Sequence, residues 1–144
     1  MELLKKSVLK AEYDFDFHLW GVVCTLKDFQ AVWEINHALK INLKRERDDL
    51  EIQNKAKGLQ MSFSVFAAFD RFEQGKFHLV SNKYLNEHLI PEMKEIDFFL
   101  RYSCESSDEE LFEILTDLKR IKRFTLVVPV NPNLLKSKHH LIIE

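Results

Sequence analysis

Glu92 and Asp97 are the carboxylates of this chain best suited to work as an acid and a base, since proton transfer needs one group to give and one to take. Neither has a nucleophile or an electrophile beside it in the sequence, so the pair alone defines no reaction. Together with Asn36 and Asn82 they make up instead the polar set that a small-molecule pocket could recruit. Each also has a structural reading. Asn36 falls between Trp33 and Leu39 on an apolar helical stripe, where a buried amide can bond a loop backbone. Asp97 sits inside a strand pattern, where Asp is disfavoured; there it can guard an exposed edge or pair with Arg45 or Arg101. Glu92 follows Pro91, as suits the first turn of a short helix.

The familiar catalytic and cofactor patterns are missing for physical reasons. Loops that cradle phosphate need clustered glycines so that backbone amides can approach the anion, whereas Gly21, Gly58 and Gly75 stand alone. No G-x-S-x-G elbow occurs, and no catalytic residue is assigned. The six histidines form no H-E-x-x-H, and none pairs with a nearby Cys at metal-ligand spacing. His139-His140 is the only cluster, and neighbours on a strand would point to opposite faces. No metal and no cofactor are therefore expected. The basic runs 119–123 and 136–140 are offset by the acidic run 105–113, so nucleic acid is not the expected partner.

The elements that must position these residues follow from hydrophobic periodicity. A strand alternates from Phe15 to Val23. Thr25 with Asp28 resembles a capping box opening a helix over 26–39, whose core stripe is Phe29, Val32, Trp33, Asn36 and Leu39. Strands follow at 43–53 and 61–72, the second with Met61, Phe63, Val65, Ala67 and Phe69 on one buried face. The run Glu73-Gln74-Gly75-Lys76 predicts a hairpin turn with positive φ at Gly75, and a strand returns over 77–80. A strand over 96–102 precedes a helix over 108–119, capped by Ser107 and Glu110, with Leu111, Ile114, Leu115 and Leu118 inward. A last strand spans 124–130. The expectation is one α+β domain over 1–144: a mainly antiparallel sheet with two helices on one face and a ferredoxin-like relative as its topology.

Composition agrees. The chain has 144 residues, 46% of them hydrophobic, with twelve Phe, enough apolar mass for a substantial core. Three Gly and three Pro argue against linkers, and a net charge of −2 gives no basic field. Lys5 and Lys6 are followed by no apolar run, and uncharged stretches such as 19–26 are too short to cross a bilayer. Cys24 and Cys104, far apart and in apolar or strand-like sequence, read as reduced, packed thiols. A cytoplasmic protein without membrane contact is expected.

The segment Ile90-Pro91-Glu92-Met93-Lys94-Glu95-Ile96-Asp97-Phe98 resembles the signature of the Bacteroidetes family named for I-P-E-x-x-x-V-D-Y, with Ile96 for Val and Phe98 for Tyr. Gly21, Leu26-Lys27-Asp28-Phe29, Trp33, Ile35-Asn36, Leu39, Leu79, Ser81-Asn82-Lys83 and Leu135-Lys136-Ser137-Lys138 are similar to other segments of that family. The resemblance implies a bacterial cytoplasmic protein with a shared fold; it names Pro91, Glu92 and Asp97 but brings no activity, substrate or cofactor. The expected function is a non-catalytic interaction module, a homodimer or the binder of another protein, using a second apolar surface around Trp20, Phe66 and Phe99 unless the N-terminal segment or the C-terminal tail covers it. The alternative is a small-ligand regulatory domain built on Asn36, Asn82, Glu92 and Asp97.

Overall fold

The structure is a computed structural model that describes residues 17–143; the expected strand start at Phe15 and the Lys5-Lys6 reading lie outside the described residues. In chain order come β1 (His18–Val23), α1 (Asp28–Leu39), β2 (Lys44–Arg45), β3 (Leu50–Asn54), β4 (Leu59–Phe63), β5 (Val65–Phe69) and β6 (Lys76–Ser81). Then follow β7 (Lys83–Tyr84), β8 (Glu87–His88), β9 (Phe98–Ser103), α2 (Asp108–Lys119) and β10 (Leu126–Val130). Short 3-10 turns cover Pro91–Met93, Pro132–Leu134 and Lys138–Leu141.

Six strands form an antiparallel sheet in the order β10-β1-β9-β6-β5-β2, so this is an α+β fold with a mainly antiparallel sheet. The four strands β10-β1-β9-β6, with α1 after β1 and α2 between β9 and β10, have the strand order of a ferredoxin-like unit. Strands β5 and β2 extend it past β6. Both helices lie on one face, where Ala31, Val32 and Ile35 of α1 and Leu118 of α2 join Trp20, Val22, Phe66, Leu79, Phe98 and Leu100 in one core.

The opposite face is covered as well, which corrects the expectation of a single buried side. Leu19, Val65, Val80 and Phe99 pack there under Met61 and Phe63 of β4, Leu89, Ile90 and Ile96, and Leu135 and Leu141 of the C-terminal tail. Trp20, Phe66 and Phe99 are 3%, 7% and 0% exposed, so the second apolar surface expected around them is interior. Alternation from Met61 to Phe69 fails for the same reason. The strand breaks at Ser64, and β5 is buried on both sides, with Phe66 and Ala68 against the helices and Phe69 exposed. The expected 43–53 strand also splits at the charged run 46–49, and β3 leaves the main sheet to pair with β4.

Helix α2 has the expected limits, with Ser107 Oγ accepting from the Glu110 N–H at 3.2 Å. Helix α1 starts two residues later than expected: the Lys27 N–H donates to Gln30 Oε1 at 3.0 Å, and Thr25 plays no capping part. Its buried face is also rotated. Small Ala31 is fully buried and lets the helix lie close to the sheet, which turns Phe29 and Trp33 outward. At the β5–β6 turn the positive φ belongs to Glu73 (55°), not Gly75. Glycine is needed at 75 for space: a Cβ there would stand 2.5 Å from Cys104 Cβ and 2.8 Å from Tyr102 Cε1.

Candidate functional site

Residues 82–97 connect β6 to β9, and three of the four polar residues singled out by sequence organise this connection. The fully buried Asn82 donates from Nδ2 to the carbonyls of Met93 (2.9 Å) and Ile96 (2.8 Å), while its Oδ1 accepts from the Ile90 N–H (2.8 Å). Its backbone bonds Asp97 and Leu89 as well. With both amide donors used, Asn82 holds the two ends of the Pro91 turn together and offers no donor to a ligand. Gly21 completes the arrangement, because a Cβ there would meet Ile96 Cδ1 at 2.7 Å and push the connection off β1.

Asp97 lies just before β9, which is flanked by β1 and β6, so it guards no edge. Its Oδ2 accepts the Cys24 N–H at 2.9 Å and its Oδ1 pairs with Lys83. Neither expected arginine is its partner: Arg45 pairs with Asp28 and Asp49, and Arg101 contacts His78. Burial pushes the Cys24 thiol up; a hydrogen bond from Leu26 opposes this and the Asp97 charge adds to it, so the sulfur stays a packed thiol. Glu92, in the first turn after Pro91 as expected, accepts the Ser137 N–H at 2.8 Å. Slight burial works to raise its carboxyl, but hydrogen bonds from its own N–H, from Ser137 and from Lys136 outweigh that and hold it below the usual range. His140, in a 3-10 turn rather than a strand, bonds the Leu89 carbonyl through Nδ1 at 2.7 Å and ties the tail to the same connection.

Asn36 is elsewhere. Its side chain exchanges two hydrogen bonds with the Leu43 backbone (3.3 and 2.7 Å), and its carbonyl accepts from Lys40 and Ile41. It closes the C-terminus of α1. Among the described residues, then, Asn82, Glu92 and Asp97 surround one connection and Asn36 does not join them.

None of these four residues lines either of two clefts on the described surface. The first, about 370 Å³, lies between the end of α1, the β5–β6 turn and α2. On its floor Tyr102 stacks on Phe77 (4.1 Å between centroids) and donates to Asp70 Oδ2 at 2.9 Å. The other Asp70 oxygen accepts from the Phe72 and Gln74 N–H groups. Burial, with the bonds to Cys104 and Asp70, pushes the Tyr102 phenol up, so it acts as a donor and not as a base. Glu105, Glu110, Glu113 and Asp117 line the cleft against Lys40 and Arg71. The second cleft, about 500 Å³, is mainly apolar and includes Phe17, Trp20 and Phe112. Sequence reasoning missed the Asp70–Tyr102 pair, whose partners are 32 residues apart with no motif linking them.

The other missed feature is the outer surface of α1. Phe29 and Trp33 are each 60% exposed, and the His37 ring stacks on Trp33 at 5.1 Å and 7°. Positions 29, 33 and 37 are successive i, i+4 steps and so form one aromatic stripe. The competing apolar stripe of Ala31, Ile35 and Ala38 was the signal that could have revealed it.

Comparison with protein-family models, with curated proteins and with solved structures finds no match to this chain.

Proposed function

We propose that this chain is a non-catalytic interaction module that pairs with a second copy of itself through α1. One observation carries the reading: two large aromatic rings point away from a helix whose opposite side is fully committed to the core. Aromatic residues are the side chains most enriched at protein interfaces. The stripe is laid out evenly about Trp33, with Phe29 one turn before it and His37 one turn after. Antiparallel apposition of two such helices sets Trp33 against its own copy and Phe29 against His37, as a two-fold interface requires. Flanking charges are already neutralised within the chain, Asp28 by Arg45 at 3.6 Å and Glu34 by Arg123 at 4.0 Å. Sheet edges are poor alternatives, since β10 carries Pro129 and β2 has two residues.

Three rings cover far less than the roughly 1,200 Å² of a stable interface, so the dissociation constant is expected on the order of 100 μM. Light scattering over a concentration series tests this. Molar mass should rise from monomer towards dimer through that range; a constant monomer mass to millimolar concentration contradicts it. The two free cysteines suit a cytoplasmic protein, and the resemblance over residues 90–98 supports a bacterial one of the I-P-E-x-x-x-V-D-Y kind.

The first cleft favours a second reading, small-ligand binding. Its aromatic floor and acidic wall suit a small organic cation. A thermal-shift series with simple amines should raise the melting temperature of the chain and not that of Asp117→Asn; no shift with any amine removes this reading.

A further inference from the structure

Strands β6 and β9 pair His78 with Arg101, both facing away from the helices and only 3% and 9% exposed. Arg101 Nη1 lies 3.2 Å from His78 Nδ1. A guanidinium can only donate, so Nδ1 accepts and the ring proton sits on Nε2. That Nε2 is buried without a hydrogen-bond partner, and so is Arg101 Nε. Ser103, the next residue of β9 on the same face, has a buried and unpartnered Oγ. Three donors at neighbouring positions of one sheet face are thus unsatisfied.

Charge sharpens the point. Among the described residues no carboxylate forms an ion pair with Arg101; the Phe17 ring lies 4.5 Å from its Cζ. Lys76, opposite Ser103 in the register, points its ammonium over Phe69 at 5.6 Å and adds further positive potential. Burying a guanidinium without a carboxylate is costly, and a cation–π contact offsets only part of that cost. Burial, with the Arg101 and Lys76 charges, keeps His78 neutral, its pKa lowered to about 4, so its Nε2–H stays a donor at neutral pH.

We infer that Arg101, His78 and Ser103 form a binding site for a compact oxyanion, such as phosphate or a carboxylate, on the face of the sheet opposite the helices. The oxygens of such a group accept from all three orphan donors and supply the missing negative charge. The oxyanion is a dissolved ion, phosphate or a small carboxylate.

The test is an NMR titration of the full chain with inorganic phosphate, and separately with acetate, following the Arg101 Nε–H and His78 Nε2–H signals. Saturable shifts in the wild type, weakened roughly tenfold by Ser103→Ala and lost in Arg101→Met, identify a dissolved ion. Should Arg101→Met fail to fold, Ser103→Ala decides alone: an unweakened response overturns the inference. So does a silent wild type.

Discussion

Two polar regions share the sheet face opposite the helices, and they are built on opposite principles. Around the 82–97 connection, Asn82, Asp97 and Glu92 each bond backbone groups, and β1, the Pro91 turn and the C-terminal tail are fastened together by them. At the other end, His78, Arg101 and Ser103 lie within regular strands and leave donors unmatched. Polar residues in a conspicuous sequence segment thus serve the fold, while those hidden in strand patterns retain binding capacity. Full satisfaction makes a rigid structural node; incomplete satisfaction leaves chemistry to be completed.

The sharpest way to break this contrast is Asn82→Ala. It strands the Ile90 N–H and the Ile96 carbonyl in the interior, takes one of two bonds from the Met93 carbonyl, and should cost about 3–5 kcal/mol in chemical denaturation. A loss under 1 kcal/mol would mean that Asn82 is not the organiser of the connection. Next in size is a pH effect. The unfolded chain protonates His78 near its ordinary value of 6.5, whereas the folded chain resists until about 4. Its contribution is therefore constant above pH 6.5 and is lost as pH falls from there towards 4, by about 3 kcal/mol in all. Denaturation curves of the wild type and His78→Gln across that window should diverge in this direction; parallel curves would place His78 in water.

Gly21→Ala should cost about 2 kcal/mol by overpacking against Ile96, and Ile96→Val in the same chain should recover part of it. Smallest is Glu92→Gln. The side chain is exposed and the amide oxygen of Gln still accepts from Ser137, so unfolding free energies from urea titration should differ by less than about 0.5 kcal/mol. A large loss would mean that the charge of Glu92, and not the Ser137 bond alone, holds the C-terminal tail to the connection.

Much of the architecture was legible in the sequence. The limits of α2 follow from Ser107, Glu110 and an amphipathic pattern, all local signals. The α+β class follows from the alternation of strand-like and helix-like segments. The face of α1 was not legible, because Phe29 and Trp33 outweigh Ala31 on any hydrophobicity scale although Ala31 permits the closer approach. The strand break at Ser64 escaped because a strand buried on both sides has no period to read, and the one at 46–49 because an exposed charged run has no apolar stripe to show where pairing stops. Gly75 looked like a turn residue, yet its need for space arises from Cys104 and Tyr102, which only the folded chain brings near. His78 opposite Arg101 is a matter of register, which strand patterns leave open across 23 residues.

Sedimentation equilibrium of the wild type, Trp33→Glu and Leu85→Glu bears most directly on recognition through α1. Leu85 is 79% exposed on a different segment and controls for loss of apolar surface in general. The wild type and Leu85→Glu should associate alike, with Trp33→Glu monomeric throughout. Equal association of all three chains, or none in the wild type at millimolar concentration, would contradict self-pairing through the aromatic stripe.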